Sequence, residues 1–281
     1  MQLRKVTAAS AAVLALALTA TACGSDKKDG GSDSAGGGKK ITIGIKIDQP
    51  GIGLKTPDGK YTGFDVDVAT YVAKELGYDA KDIVFKETKS ADRETAIERG
   101  DVKFIAASYS INDERQQKVD FAGPYLLAHQ DILVRADDDS IKSPEDLNKK
   151  KLCSVTGSTS AQNVHDKLAP KAQLQEYGGY SECLTGLENK VIDALTTDDS
   201  ILAGYASQQQ FQGKFKLAGL KMTNENYGIG LKKGDADLKK KINDALTKMV
   251  SDGSWDKAVK DNFGPANYKN DPAPKIGNIV K

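Results

Sequence analysis

The run Ala106-Ala107-Ser108-Tyr109-Ser110-Ile111-Asn112-Asp113-Glu114-Arg115 gathers hydroxyls and one cation just past an apolar strand. Phe104, Ile105 and Ala106 read as a short buried strand, so Ser108 and Ser110 fall at its carboxyl end, where open α/β sheets bind ligands. Asn112 or Asp113 suits the cap of a helical turn, and Arg115, one turn in, can reach back with its planar fork. A guanidinium beside two hydroxyls suits a carboxylate. The competing reading is an Arg paired to an Asp on a solvated turn, which on spacing alone is the commoner case.

Other stretches carry the same double reading. Thr156-Gly157-Ser158-Thr159-Ser160 follows a strand expected over Lys151 to Val155 and turns into a helix. Successive N–H groups at a helix start favour an anion, but serine loops are more often plain caps. Val191 to Thr197 reads as a strand running into Asp198 and Asp199, either of which can cap the helix before Ile201-Leu202. Arg93 opens a helix over 91–99 that Gly100 stops, and sits among Lys89, Asp92 and Glu94 as a surface Arg would. No Gly-x-Ser-x-Gly elbow makes any serine a nucleophile. The chemistry on offer is recognition of charged groups.

The elements that must position these residues follow from periodicity. Ile41 to Ile47 alternates as a strand, and Asp48-Gln49-Pro50-Gly51 breaks it. Gly63 to Gly77 is an amphipathic helix with Asp65 as the expected N-cap, Val68, Val72 and Leu76 on one face and Gly77 closing it. Asp65 and Asp67 are then a cap and a dipole partner, with no acid/base role. Ser143-Pro144 fixes a new helix start, Asp235 caps a helix that ends near Gly253, and Ser254 caps a short one holding Trp255. Gly228, Gly230 and Gly234 do not match dinucleotide-loop spacing, and Tyr227 to Leu231 reads as a strand.

Composition bounds the partners. The chain has 281 residues, long enough for two domains, with 40 Lys and Arg against 39 Asp and Glu. No global field favours nucleic acid or an anionic membrane. Three Cys and two His, without zinc spacings, lead to no expected metal or cofactor. Arg4 and Lys5, the apolar run Val6 to Leu18 and Ala20-Thr21-Ala22-Cys23 read as an export signal over 1–23. Its end resembles a bacterial lipoprotein signal with Cys23 as the lipidated residue, although Ala20 stands where that pattern more often has Leu. Residues 24–40 read as a flexible tether. In an exported chain Cys153 and Cys183 are expected to pair, which would contribute roughly 3 to 4 kcal/mol.

Gly63-Phe64-Asp65-Val66-Asp67-Val68, with the apolar pattern through Leu76, resembles the signature of family 3 extracellular solute-binding proteins. The resemblance continues through Ser108 to Arg115, Val119-Asp120-Phe121, Cys153 to Ser160, Asp193 to Asp198 and Tyr227 to Gly234, covering 41–265. It departs at Lys103, where an Asp is common. The resemblance implies an α/β, two-lobed, periplasmic-binding-protein-like (type II) clamp with two crossing hinge strands. Lobe one would comprise 41–128 plus 229–265, lobe two 129–228, and 266–281 a C-terminal tail.

It also implies a non-enzymatic function: delivery of a polar amino acid to the membrane permease and ATPase subunits of an ABC importer, by a monomer lipid-anchored to the outer face of the membrane. Asp48 to Gly51 and Thr197-Asp198-Asp199 look most like the glutamate branch, with glutamine or aspartate as alternatives. By the same resemblance Ser110, Arg115, Ser158 and Thr159 would meet the α-carboxylate, Asp198 the ammonium and Arg93 the side-chain carboxylate. Ser108 would line the site, and Lys46 could join Arg93. The competing class is a small dehydratase on the same fold, which would need an unpaired acid in the cleft. His129 and His165 are expected to be structural. A receptor role would need a fused output domain.

Overall fold

The computed structural model describes residues 40–281. The export segment, Cys23 and the tether up to residue 39 lie outside the described residues.

Two parallel three-stranded cores are joined through a pair of long antiparallel strands. In the first core β1 (Ile41–Ile45) lies between β5 (Ile83–Glu87) and β6 (Phe104–Ile105). A small separate sheet, β2 (Asp48–Gln49), β3 (Gly53–Lys55) and β4 (Tyr61–Thr62), follows β1 in sequence. In the second core β8 (Lys151–Val155) lies between β9 (Gln173–Tyr177) and β10 (Ala194–Asp198). The joining strands are β7 (Asp120–Arg135) and β12 (Asn224–Leu231). β7 pairs with β12 from Asp120 to His129 and with β10 from Gln130 to Val134. β11 (Phe215–Leu217) adds to the far end of β7. β12 in turn hands over to β6 at Gly230 and Leu231. This is a two-lobed α/β clamp in which one sheet path runs through both lobes.

Helices cover the sheet because each buries one apolar stripe. α1 (Phe64–Glu75) buries Phe64, Val68 and Val72 beneath α7 (Ala236–Ser251) and α8 (Ser254–Phe263). Phe64 meets Trp255 edge-on and Phe263 at 5.1 Å. In the second lobe α5 (Tyr180–Glu188) buries Cys183, Leu184 and Leu187, and the Cys153–Cys183 disulfide ties it to β8 with Cα atoms 5.6 Å apart.

Local signals mostly act where the sequence puts them. Asn112 accepts from Arg115 N at 2.8 Å to start α3 (Asp113–Lys118), and Asp235 accepts from Leu238 N at 3.1 Å. Ser143 and Asp146 form a capping box. Two expected caps differ. Gly63, not Asp65, precedes α1, because loop carbonyls take the first N–H groups: Phe64 N donates to Gly51 O and Asp65 N to Ile52 O. Only glycine fits there, at φ 125° with a Cβ position 2.3 Å from Ile52 O. Asp65 is thereby released to point inward. At α8 Gly253 is the cap, and Asp252 Oδ1 accepts from Ser254 N at 2.9 Å in place of a serine cap.

The glycines of β12 have a packing reason. A Cβ on Gly228 would lie 2.6 Å from Ile111 Cδ1, and one on Gly230 would lie 2.6 Å from the Tyr109 ring. The final segment is fastened along the joining strands: Gly277 N donates to Gly123 O at 2.9 Å and Val280 N to Asn226 Oδ1 at 3.0 Å. Tyr268 OH also donates to Asp199 Oδ1 at 2.8 Å, and His129 meets Asp271 at 2.8 Å.

Candidate functional site

Parallel strands aim their carboxyl ends at one another across the clamp. Lys46 follows β1, Ser108 and Ser110 follow β6, Thr156 to Ser160 follow β8, and Asp198 ends β10. Ligands bind outside such strand ends in open α/β sheets. Six of the seven residues expected to touch a ligand, Arg93, Ser108, Ser110, Arg115, Ser158 and Asp198, are buried, and Thr159 is half-buried.

The first lobe contributes a cationic wall. Arg93 opens α2 (Arg93–Glu98) and is 1% exposed. Its Nε donates to Ser90 O at 3.2 Å, Nη1 to Ala107 O and Ser108 O at 3.2 Å, and Nη2 reaches across to Gly157 O at 3.3 Å. The guanidinium stacks 4.1 Å from the Tyr109 ring centroid. Lys46 Nζ donates to Ser90 Oγ at 2.8 Å. Among the described residues, no carboxylate lies within ion-pair distance of Lys46 or Arg93. Burial, reinforced by Arg93, pushes the Lys46 ammonium down to about 7. Burial and then Arg115 bring the Arg93 guanidinium down to about 10.

Arg115 Nη1 donates to Ser110 O at 2.7 Å and Nη2 to Gly157 O at 3.0 Å, while Nε lies 3.7 Å from Glu94. It is 7% exposed, so the solvated-turn reading does not hold. Ser110 Oγ faces Thr159 Oγ1 at 3.5 Å across the lobes. Ser158 Oγ accepts from Ala161 N at 3.0 Å, capping α4 (Thr159–Asn163). Ser108 is held in a left-handed conformation at φ 43° by Asp65, whose Oδ2 accepts from Ser108 N at 2.7 Å and Oδ1 from Tyr125 OH at 2.6 Å. Burial raises the Asp65 carboxyl to about 6, against the pull of those two donors.

The opposite wall is acidic. Asp198 sits at the cap position of α6 (Asp199–Ala206), but its carboxylate turns inward: Oδ2 accepts from Tyr227 OH at 2.5 Å and Oδ1 from Ser160 Oγ at 3.4 Å. Burial, then the charge of Glu225, holds Asp198 well above the usual carboxylate range. Glu225 is 3% exposed and accepts from Thr159 Oγ1 at 2.9 Å and Thr223 Oγ1 at 2.8 Å. Asp199 points the other way, accepting from His129 N at 3.0 Å. Sequence reasoning did not single out Ser90 or Glu225; the signal for Glu225 was an acid inside an otherwise buried strand. A 490 Å³ cavity opens between the lobes on the Arg115 side, lined by Ser90, Glu94, Arg115, Ser158, Asp166 and Glu176 among others; Lys46, Arg93, Asp198 and Glu225 do not line it. Among the described residues no cluster of His, Cys, Asp and Glu is placed to hold a metal ion.

Hydroxyls and buried charges of opposite sign, facing each other where strand ends of two lobes meet, define a solute-binding clamp for a small ion with both charges. The chain belongs to the bacterial extracellular solute-binding proteins, family 3, whose model matches residues 41–265. It is 48% identical over 271 residues to the glutamate-binding protein GluB of Corynebacterium efficiens, covering 93% of this chain and 91% of that protein. It is 42% identical over 223 residues to the ABC transporter glutamine-binding protein GlnH of Bacillus subtilis, covering 79% and 80%. An ancestral arginine-binding protein solved with arginine bound superposes with a TM-score of 0.75 at 35% identity, covering 80% of this chain and 99% of that one.

Proposed function

We propose that this chain is the extracytoplasmic substrate-binding component of an ABC importer and that its ligand is an acidic amino acid, glutamate. The carrying observation is the pair of buried cations, Lys46 and Arg93, that converge on Ser90 with no carboxylate partner among the described residues. Burying a charge without a partner is costly, so such a pair favours a ligand that brings an anion. An amide side chain would leave both unpaired. Arg115, Ser110, Ser158 and Thr159 then take the α-carboxylate, and Asp198 with Glu225 takes the ammonium. Ser108 shapes the wall through its carbonyl on Arg93.

The division of lobes at 128/129 and 228/229 belongs to the same reading, supported by the switch of β7 partners after His129. So do monomeric action, lipid attachment at Cys23 and docking on permease and ATPase subunits. Binding rather than elimination is favoured because Asp198 is engaged by Tyr227 and Ser160 and faces a second acid, an arrangement suited to an ammonium.

The test is calorimetric titration of residues 39–281 with glutamate, glutamine, aspartate and arginine, on wild type and Arg93→Ala. The expected result is tight glutamate binding that Arg93→Ala weakens by about 100-fold, with a far smaller effect on glutamine. No binding of any of the four by the folded wild type would end the amino-acid reading. Recovery of chemically altered ligand would favour the enzyme.

A further inference from the structure

The Asp48-Gln49-Pro50-Gly51 loop leaves the first lobe beside the cationic wall, where Gln49 Oε1 accepts from Ser108 Oγ at 3.1 Å, and is gripped by two helices of the second. Asp48 Oδ2 accepts from Tyr180 N at 3.1 Å, at the first residue of α5. Gly179, just before it, is so close that a Cβ there would lie 2.7 Å from the same oxygen. Asp48 O accepts from Tyr205 OH at 2.5 Å, on α6. One turn face of α6 also comes against the loop backbone, where a Cβ on Gly204 would lie 2.0 Å from Pro50 O. The α5 end of this grip is anchored to β8 by the Cys153–Cys183 disulfide.

We infer that this loop is a closing clasp: Asp48 on the α5 N-terminus, Tyr205 on the Asp48 carbonyl and side-chain-free Gly204 against Pro50 hold the lobes together independently of ligand. Each contact joins a loop of the first lobe to a helix of the second. A carboxylate at a helix N-terminus is favoured by the unpaired N–H groups and the dipole there. Because only the closed arrangement is fully binding-competent, the clasp multiplies affinity for every ligand by one factor, set by the closed fraction. Asp48 is therefore a positioning residue for affinity, whereas Lys46, two residues earlier, sets selectivity. The inference uses the binding function proposed above, but part of its test does not.

The experiment compares wild type with Asp48→Asn, Tyr205→Phe and Gly204→Ala. Kd for glutamine is expected to rise about tenfold for Asp48→Asn, and those for glutamate and glutamine to rise together about fivefold for Tyr205→Phe. Gly204→Ala, whose new methyl would lie 2.0 Å from Pro50 O, is expected to weaken both by more than either. The ratio of the two Kd values stays at its wild-type value in Tyr205→Phe and Gly204→Ala; the Asp48 charge also raises the Lys46 pKa, so Asp48→Asn is read on glutamine alone. A change confined to one ligand in Tyr205→Phe or Gly204→Ala, or none in any variant with wild-type thermal unfolding, overturns the clasp. Small-angle scattering without added ligand supplies the independent arm: Gly204→Ala is expected to have a larger radius of gyration than wild type. Identical scattering curves overturn the clasp whatever the protein binds, while failure of wild type to bind glutamate or glutamine counts against the proposed function alone.

Discussion

Lys46 makes glutamate binding a titration. The free ammonium, held down to about 7 mainly by burial and then by Arg93, is about half neutral at pH 7. A ligand carboxylate beside it restores the charged form, so its pKa rises on binding. The sign follows: the favourable contribution is fully present below pH 7 and is lost as pH climbs from 7 toward the bound-state value. The competent fraction falls to roughly one tenth at pH 8 and one hundredth at pH 9. Asp198 serves the ammonium that glutamate and glutamine share, and Asp65, raised to about 6, titrates below the window from pH 7 to 9.

The ratio of the two Kd values therefore isolates the side-chain end. Calorimetry at pH 6, 7, 8 and 9 is expected to show the preference for glutamate over glutamine shrinking about tenfold per pH unit above 7. Repeating pH 8 in buffers of different ionisation enthalpy should reveal uptake of about 0.9 proton with glutamate. Lys46→Met should flatten the profile. A ratio independent of pH from 6 to 9 in wild type, or the same slope in Lys46→Met, would refute the assignment of Lys46 to the ligand's side-chain carboxylate.

Two further expectations concern the scaffold. Asp65→Ala leaves Ser108 N and Tyr125 OH buried without their acceptor, and should cost about 3 kcal/mol in urea unfolding, with Asp65→Asn milder; equal midpoints for wild type and Asp65→Ala would contradict it. Reducing Cys153–Cys183 should lower stability by roughly 3 to 4 kcal/mol while leaving glutamate affinity at 25 °C nearly unchanged, which titration with and without reductant checks.

The residues that act within a few positions of themselves were legible in the chain. Asn112 and Asp235 cap the helices that follow them, Ser143 and Asp146 close a capping box, and strand periodicity located the ends that carry Ser108, Ser158 and Asp198. Their physics is local, so spacing suffices. Family likeness added the clamp and the candidate charges. Tertiary structure alone decided what depends on distant partners. Asp65 reads as a cap, yet carbonyls of Gly51 and Ile52 satisfy the helix start and leave it free to brace Ser108. Arg93 looks like a surface Arg among charged neighbours, but burial turns it onto carbonyls of its own lobe and of Gly157. The meeting of Lys46 with Arg93 at Ser90, the pairing of Glu225's charge with Asp198 and the docking of 266–281 on the crossing strands are all long-range. No periodicity encodes them, because a buried charge takes its role from what the fold leaves unpaired beside it.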